Sequence, residues 1–128
     1  MVLFCFGFLF IGTTVKAEPE KSLQIKYCNL AFEDNVYILY AVDSENIDKK
    51  EDIKLLIWRE YQDEYNFGTQ NTVLDYYDDT VIGGKSYCMF VYDKLSAKEM
   101  TDDVYARPYY DDNGTAVYGE VKKYSILQ

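Results

Sequence analysis

Apolar and polar residues alternate along most of the chain from Leu23 onward, and a period of two is typical of half-buried β-strands. Residues 36–42 (VYILYAV) are the clearest such segment, because β-branched and aromatic side chains favour strands. Residues 53–58 (IKLLIW) form a short, nearly continuous apolar run, which also indicates a strand. The apolar positions change parity near Cys28 and Asn29, which predicts a β-bulge within the first strand.

Two residue pairs predict hairpins in the second half of the chain. Gly83 with Gly84 suits a two-residue turn, and Asn113 with Gly114 is the strongest local hairpin signal in the sequence. The remaining predicted elements, in chain order, are a charged loop at 43–52, a short edge strand containing Tyr65 and Phe67, strands at 72–77, 80–82, 85–93, 104–110 and 115–124, and one helical turn within 94–103. This pattern predicts an all-β fold, an antiparallel β-sandwich of about seven strands with one short helical turn, built as a single domain over residues 18–128.

The start of the chain has a different pattern. Residues 2–12 (VLFCFGFLFIG) are uncharged and apolar, and a run of about 11 residues is too short to cross a bilayer. Val15 and Ala17 fit the small-residue pattern of a cleavage site, so residues 1–17 are predicted to be a signal peptide. No Lys or Arg precedes the run, which favours a signal peptide whose start is truncated. The alternative to a signal peptide is that these residues form a buried element of the folded domain. We expect the mature chain to be extracellular or at the cell surface, with no membrane span.

Composition narrows the functions further. The chain has 128 residues, 13 Lys and Arg against 22 Asp and Glu, and a net charge of −9, which does not suit nucleic-acid binding. It has no His, which excludes Ser-His-Asp and Cys-His catalysis and His-ligated zinc. We therefore expect no catalytic residues, no metal and no cofactor, and we expect a monomer.

The two cysteines beyond the predicted cleavage site allow two interpretations. In an exported protein Cys28 and Cys88 could form a disulfide between the two sheets, since both lie in predicted strands. They could equally be two buried free thiols that act as small apolar residues. The sequence leaves this choice open.

The spacing of the strands resembles that of immunoglobulin-like and fibronectin-type-III-like sandwiches. In that comparison residues 36–42 are B-like, and residues 55–58 (LLIW) are C-like with Trp58 as the core aromatic. Residues 86–92 (SYCMFVY) are E-like, and residues 104–110 (VYARPYY) are F-like.

Three blocks of sequence resemble, more specifically, an uncharacterised domain that recurs in exported bacterial surface proteins. They are NLAFEDNVYILYAV at 29–42, LLIWREYQDEYNFGTQNTVL at 55–74, and LSAKEMTDDVYARPYY at 95–110 followed by EVKKYSIL at 120–127. The resemblance implies an immunoglobulin-like fold and supplies no activity.

Aromatic residues are the first candidates for a function. Tyr65, Phe67, Tyr76 and Tyr77 cluster in the polar middle of the chain, and exposed tyrosines suit protein or glycan partners. If these four share one exposed face, a non-catalytic binding module is favoured; if they are buried, a spacer is favoured.

Acidic clusters are the second candidates. Asp75, Asp78 and Asp79 lie close in sequence, as do the pairs at 102–103 and 111–112. Paired carboxylates can hydrolyse glycosides and loop carboxylates can bind calcium, so a small hydrolase or a calcium-dependent module is the alternative. Solvated surface charge explains the same residues.

Overall fold

The computed structural model describes residues 19–33, 35–96 and 102–125. They contain nine strands: β1 (Ser22–Phe32), β2 (Val36–Glu45), β3 (Lys54–Trp58), β4 (Thr72–Asp75), β5 (Asp78–Ile82), β6 (Lys85–Leu95), β7 (Asp103–Asp112), β8 (Thr115–Tyr118) and β9 (Lys122–Ser125). A 3-10 turn, Lys50–Asp52, precedes β3. The predicted signal peptide, and residues 97–101 of the predicted helical turn, lie outside the described residues.

The strands form two antiparallel sheets. Sheet I has the order β1-β2-β6-β5, and sheet II has the order β9-β7-β3-β4, with β8 also paired to β7. The predicted antiparallel β-sandwich is therefore confirmed. The order of sheet I is the A-B-E-D order found in immunoglobulin-like sandwiches, with β3 and β7 in the places of strands C and F.

The core lies between the two sheets and is built from alternate residues of most strands. Ile38 and Phe90 of sheet I are fully buried there, opposite Leu55 and Ile57 of sheet II. Successive side chains of a strand point to opposite faces, so Trp58 points away from this core. Trp58 is buried, as expected of a core aromatic, but it lies on the outer face of sheet II rather than in the main core cluster.

Local turn chemistry explains the two tight hairpins. The φ angles are 61° and 83° at Gly83 and Gly84, and 52° and 94° at Asn113 and Gly114. Two successive positive φ angles define the turn that best matches the twist of paired strands. Both predicted hairpins are confirmed.

Several details of the predicted strands differ from the structure. The register shift in β1 falls between Ile25 and Tyr27, not near Cys28 and Asn29. Strand β2 continues to Glu45, because residues 43–45 pair with Ser22–Gln24 of β1 instead of forming a loop. The predicted strand 115–124 is divided into β8 and β9 at Gly119, which packs so closely on β1 that a Cβ atom would lie 2.5 Å from the Leu23 carbonyl oxygen.

Both cysteines lie in sheet I and are free thiols. Cys28 of β1 is opposite Tyr40 and Cys88 of β6 is opposite Val42, so strand β2 separates them. Two strand spacings amount to roughly 10 Å, whereas a disulfide needs Cα atoms closer than about 7 Å. This arrangement therefore does not allow the disulfide between the two sheets that was one of the two interpretations.

Candidate binding surface

The outer face of sheet II is covered by residues 59–71, here called the covering loop, which connect β3 to β4. The loop packs on Trp58. Trp58 and Leu56 are only 2% and 0% exposed although they face away from the core. The Tyr65 ring lies edge-on to Trp58, with centroids 5.0 Å apart, and stacks on Tyr105 at 5.4 Å. Sheet II thus has a second, smaller apolar layer on its outer side.

Hydrogen bonds fix the path of the covering loop. The Trp58 indole donates to the Thr69 hydroxyl at 3.0 Å, which satisfies the polar atom of a buried ring. The Asn66 side-chain oxygen accepts from the backbone N–H groups of Gly68 and Thr69. The Phe67 N–H donates to the Tyr118 hydroxyl at 2.9 Å, which ties the loop to β8.

The Arg107 side chain, on β7, connects the covering loop to the sheet below it. Its Nη1 donates to the Tyr65 carbonyl at 2.6 Å and its Nε donates to the Gly119 carbonyl at 2.5 Å. Its guanidinium lies over the Tyr118 ring, 4.4 Å from the centroid. One half-buried cation therefore joins the covering loop, β7 and the break between β8 and β9.

The four predicted aromatic residues do not share one face. Tyr65 is half-buried in the covering loop, and Phe67, 52% exposed, stacks on Tyr109 at 5.0 Å. The short edge strand predicted for these two residues is wrong, because they lie in irregular backbone held by Arg107. Tyr76 and Tyr77 follow β4, where the chain crosses from sheet II to sheet I.

Tyr76 and Tyr77 have different surroundings. Tyr76 packs against the main core and donates its hydroxyl to Asp79 at 2.8 Å, and this hydrogen bond raises the pKa of Tyr76 to about 12. Tyr77 is 67% exposed, and its N–H donates to the Met89 carbonyl at 3.0 Å. It lines a depression together with Leu39 and Val91 on the outer side of sheet I.

The outer face of sheet I, here called the open face, is apolar. Leu39, Met89 and Val91 form its half-buried centre, because Leu39 pairs with Val91 and Ala41 pairs with Met89 on the outward side. Four tyrosines surround this centre: Tyr27, Tyr37, Tyr77 and Tyr87. The part of the chain that the structure describes contributes no segment that packs over this face as the covering loop packs over sheet II.

Two shallow depressions on the open face differ in charge. The smaller, about 120 Å³, is lined only by uncharged residues, among them Tyr27, Asn29 and Ile82. The larger, about 420 Å³, is lined by Tyr37 and Tyr77 together with two carboxylates, Glu33 and Asp93. Leu39 and Met89 line both depressions, so the face is one apolar surface with an acidic end.

Sequence reasoning missed the centre of the open face. The signal was present in residues 36–42, where every position is apolar, so that both sides of the strand carry apolar side chains. A strand with one face in water alternates instead. The residues facing outward in this segment are Tyr37, Leu39 and Ala41.

The acidic candidates are dispersed among separate local contacts. Asp75 forms an ion pair with Lys54 at 2.7 Å, and Asp79 accepts from Tyr76. Asp111 accepts from the Gly114 N–H at 2.8 Å and so supports the hairpin turn. Within the described ranges, no three Cys, Asp or Glu side chains come together as a metal site requires.

The acidic pair at 102–103 is used in the same way. Asp102 lies 3.6 Å from Arg59, and Asp103 accepts from the Ser125 hydroxyl at 2.7 Å. That hydrogen bond, followed by the charge of Lys123, holds the pKa of Asp103 below its usual value. A general acid needs the opposite shift. A further depression of about 230 Å³ beside Trp58 has Glu60 as the one carboxylate in its lining.

No protein-family model matches the sequence, and no curated protein is detectably similar to it. The likeness to the exported bacterial domain therefore stays a prediction. The residues that the structure describes include no helix long and apolar enough to cross a membrane.

Proposed function

We propose that this protein is a non-catalytic binding module, exported to the cell surface or the medium, that recognises a protein partner through the open face. The carrying observation is the apolar centre of Leu39, Met89 and Val91, surrounded by tyrosines and uncovered by the described chain. Tyrosine and methionine are enriched in protein interfaces, and apolar patches rimmed by polar groups mark interaction sites.

A protein partner suits this surface better than a glycan. Sugars carry hydroxyl groups that need hydrogen-bond partners when they are removed from water. The centre of the open face offers aliphatic and thioether groups instead, with the polar atoms at the perimeter. Apolar side chains of a partner would lose no hydrogen bonds there.

A spacer without a ligand is the second candidate, and one observation favours it. Tyr65, a predicted ligand-binding residue, is occupied by internal contacts with Trp58 and Tyr105. The position of the Tyr65 ring is thus explained by the stability of the fold. The hydrolase or calcium alternative draws no comparable support from the dispersed carboxylates.

The test selects ligands for the purified protein from displayed random twelve-residue peptides and, in parallel, from a glycan array. Carbon-13 labelling of the methionine methyl groups makes Met89 a reporter at the centre of the open face, with Met89→Leu identifying its signal. A peptide that shifts the Met89 signal supports the proposal. Its binding should be lost in Val91→Glu and retained in Val73→Glu, the same change at an exposed position on the outer side of sheet II.

Two results would count against the proposal. Glycans that bind where no peptide does would exclude a protein partner. Ligands whose binding is unchanged by Val91→Glu would favour a spacer. Failure to select any ligand would favour a spacer as well.

Export has its own measurement. An intact mass that matches residues 18–128, for protein recovered outside an expressing bacterium, is the expected result. An uncleaved mass found only inside the cells would refute the export proposal.

A further inference from the structure

The acidic end of the open face points to the chemistry of the partner. We infer, on the basis of the proposed function, that this end receives an arginine or lysine side chain from an apolar segment of the protein partner. The juxtaposition that carries the inference is Tyr37 and Tyr77 with Glu33 and Asp93 around one depression.

Strand pairing brings these side chains together. Tyr37 lies on β2, which pairs with one edge of β6. The Tyr77 backbone N–H donates a hydrogen bond to the Met89 carbonyl at the other edge of β6, so the two tyrosines lie on opposite sides of this strand. The register between β2 and β6 shifts between Val36 and Ile38, beside Asp93. Bulges of this kind redirect side chains. The irregularity lies beside Asp93, which is one of the residues that line the depression.

The depression has the components of a cation site. Tyrosine rings attract guanidinium and ammonium groups over their faces, and carboxylates bind the same groups with charge-assisted hydrogen bonds. Of the described residues that line the depression, none is Lys or Arg. The floor of Leu39, Met89 and Val91 would contact the apolar side chains next to the cation.

The protein uses this combination elsewhere with its own cations. Lys85 lies 5.7 Å from the Tyr87 ring centroid and 2.9 Å from an Asp43 oxygen. Arg59 lies 5.9 Å from the Tyr92 ring centroid, and its Nη2 is 3.6 Å from Asp102. At the acidic end the ring and carboxylate groups are both present, and the cation would come from the partner.

Charge also sets the direction of binding. The other depression has no charged lining, so a partner segment with one basic residue has one favoured orientation along the face. The net charge of −9 attracts a basic partner at long range and repels an acidic one.

The experiment repeats the selection of random twelve-residue peptides on two variants. Glu33→Gln/Asp93→Asn removes the acidic end, and Glu60→Gln/Asp63→Asn removes two exposed carboxylates from the covering loop as a control of equal charge. Far-UV circular dichroism verifies that both variants fold.

Peptides selected on the unchanged protein should be enriched in Arg or Lys beside apolar residues. They should bind the acidic-end variant about fivefold or more weakly and bind the control nearly as well as the unchanged protein. Added salt should weaken binding to the unchanged protein more than binding to the acidic-end variant.

Two outcomes separate this inference from the proposed function. Peptides that depend on Val91 but are not basic, or that bind the acidic-end variant equally well, would overturn the cation site and leave the binding module intact. If no selected peptide depends on Val91, both proposals fail.

Discussion

The two outer sheet faces carry similar residues in different surroundings. On sheet II, the outward-facing Leu56 is fully buried, Trp58 lies beneath the covering loop, and Arg107 fastens that loop to the strands. On sheet I, Leu39 and Met89 occupy equivalent outward positions and remain half-exposed. An apolar side chain on an outer face therefore contributes to folding where the chain covers it, and is available for recognition where the described chain does not.

Among truncations of a side chain, the largest expected effect comes from removing the ring beneath the covering loop. Trp58→Ala should lower the free energy of unfolding by about 3–5 kcal/mol, because it leaves a cavity that the edge-on Tyr65 ring cannot fill. Urea unfolding followed by far-UV circular dichroism measures this change.

The matched control is Tyr77→Ala, which removes an exposed aromatic ring from the open face. It should change the free energy of unfolding by at most about 0.5 kcal/mol. Similar losses for the two variants would contradict the contrast between the faces.

Arg107 gives the second test of the covered face. Arg107→Met retains much of the side-chain volume but leaves the carbonyl groups of Tyr65 and Gly119 without their charged donor. We expect a loss of about 1.5–3 kcal/mol and a red shift of Trp58 fluorescence as the loop loosens.

Arg107→Lys is the control, and it should not restore stability. A lysine ammonium cannot reproduce the planar, two-directional donation of the guanidinium. Full rescue by Lys would mean that charge alone, rather than this geometry, holds the loop.

Strand positions were predictable because their signals are local. The run of β-branched and aromatic residues at 36–42, and glycine at Gly83, Gly84 and Gly114, act within a few residues of the chain. Boundaries such as the end of β2 at Glu45 depend on pairing with β1, which local composition does not encode.

The candidate site was less predictable because it depends on tertiary contacts. Arg107 and Tyr65 are 42 positions apart, and no local pattern indicates that one fastens the other. Tyr65 and Tyr77 are near in sequence but lie on opposite sides of the sandwich, because the chain changes sheets between β4 and β5. Proximity in sequence suggested one patch where the fold has two.

A polar substitution on the open face should have a smaller effect on stability. Val91→Glu is expected to lower the free energy of unfolding by at most about 1 kcal/mol, because the side chain can turn toward water. Leu56→Glu, at a fully buried position of the covered face, should prevent folding or come close to it. Equal tolerance of the two changes in thermal unfolding would show that the faces do not differ.

The last prediction concerns Cys28, which packs against the core on the inner side of sheet I. Burial raises the pKa of the Cys28 thiol to about 12, so the folded protein keeps the thiol protonated at pH values at which the unfolded chain ionises it. The folded pKa lies above the unfolded value near 9.0, so the stabilising contribution is complete below pH 9 and declines as the pH rises toward 12. The unchanged protein should therefore lose more stability than Cys28→Ala in urea titrations between pH 8 and pH 10.5.

Iodoacetamide should also modify Cys28 slowly until urea unfolds the chain, because the thiolate is the reactive form. Rapid modification of the folded protein at pH 8 would show that the thiol is accessible and ionised, contrary to its packing against the core.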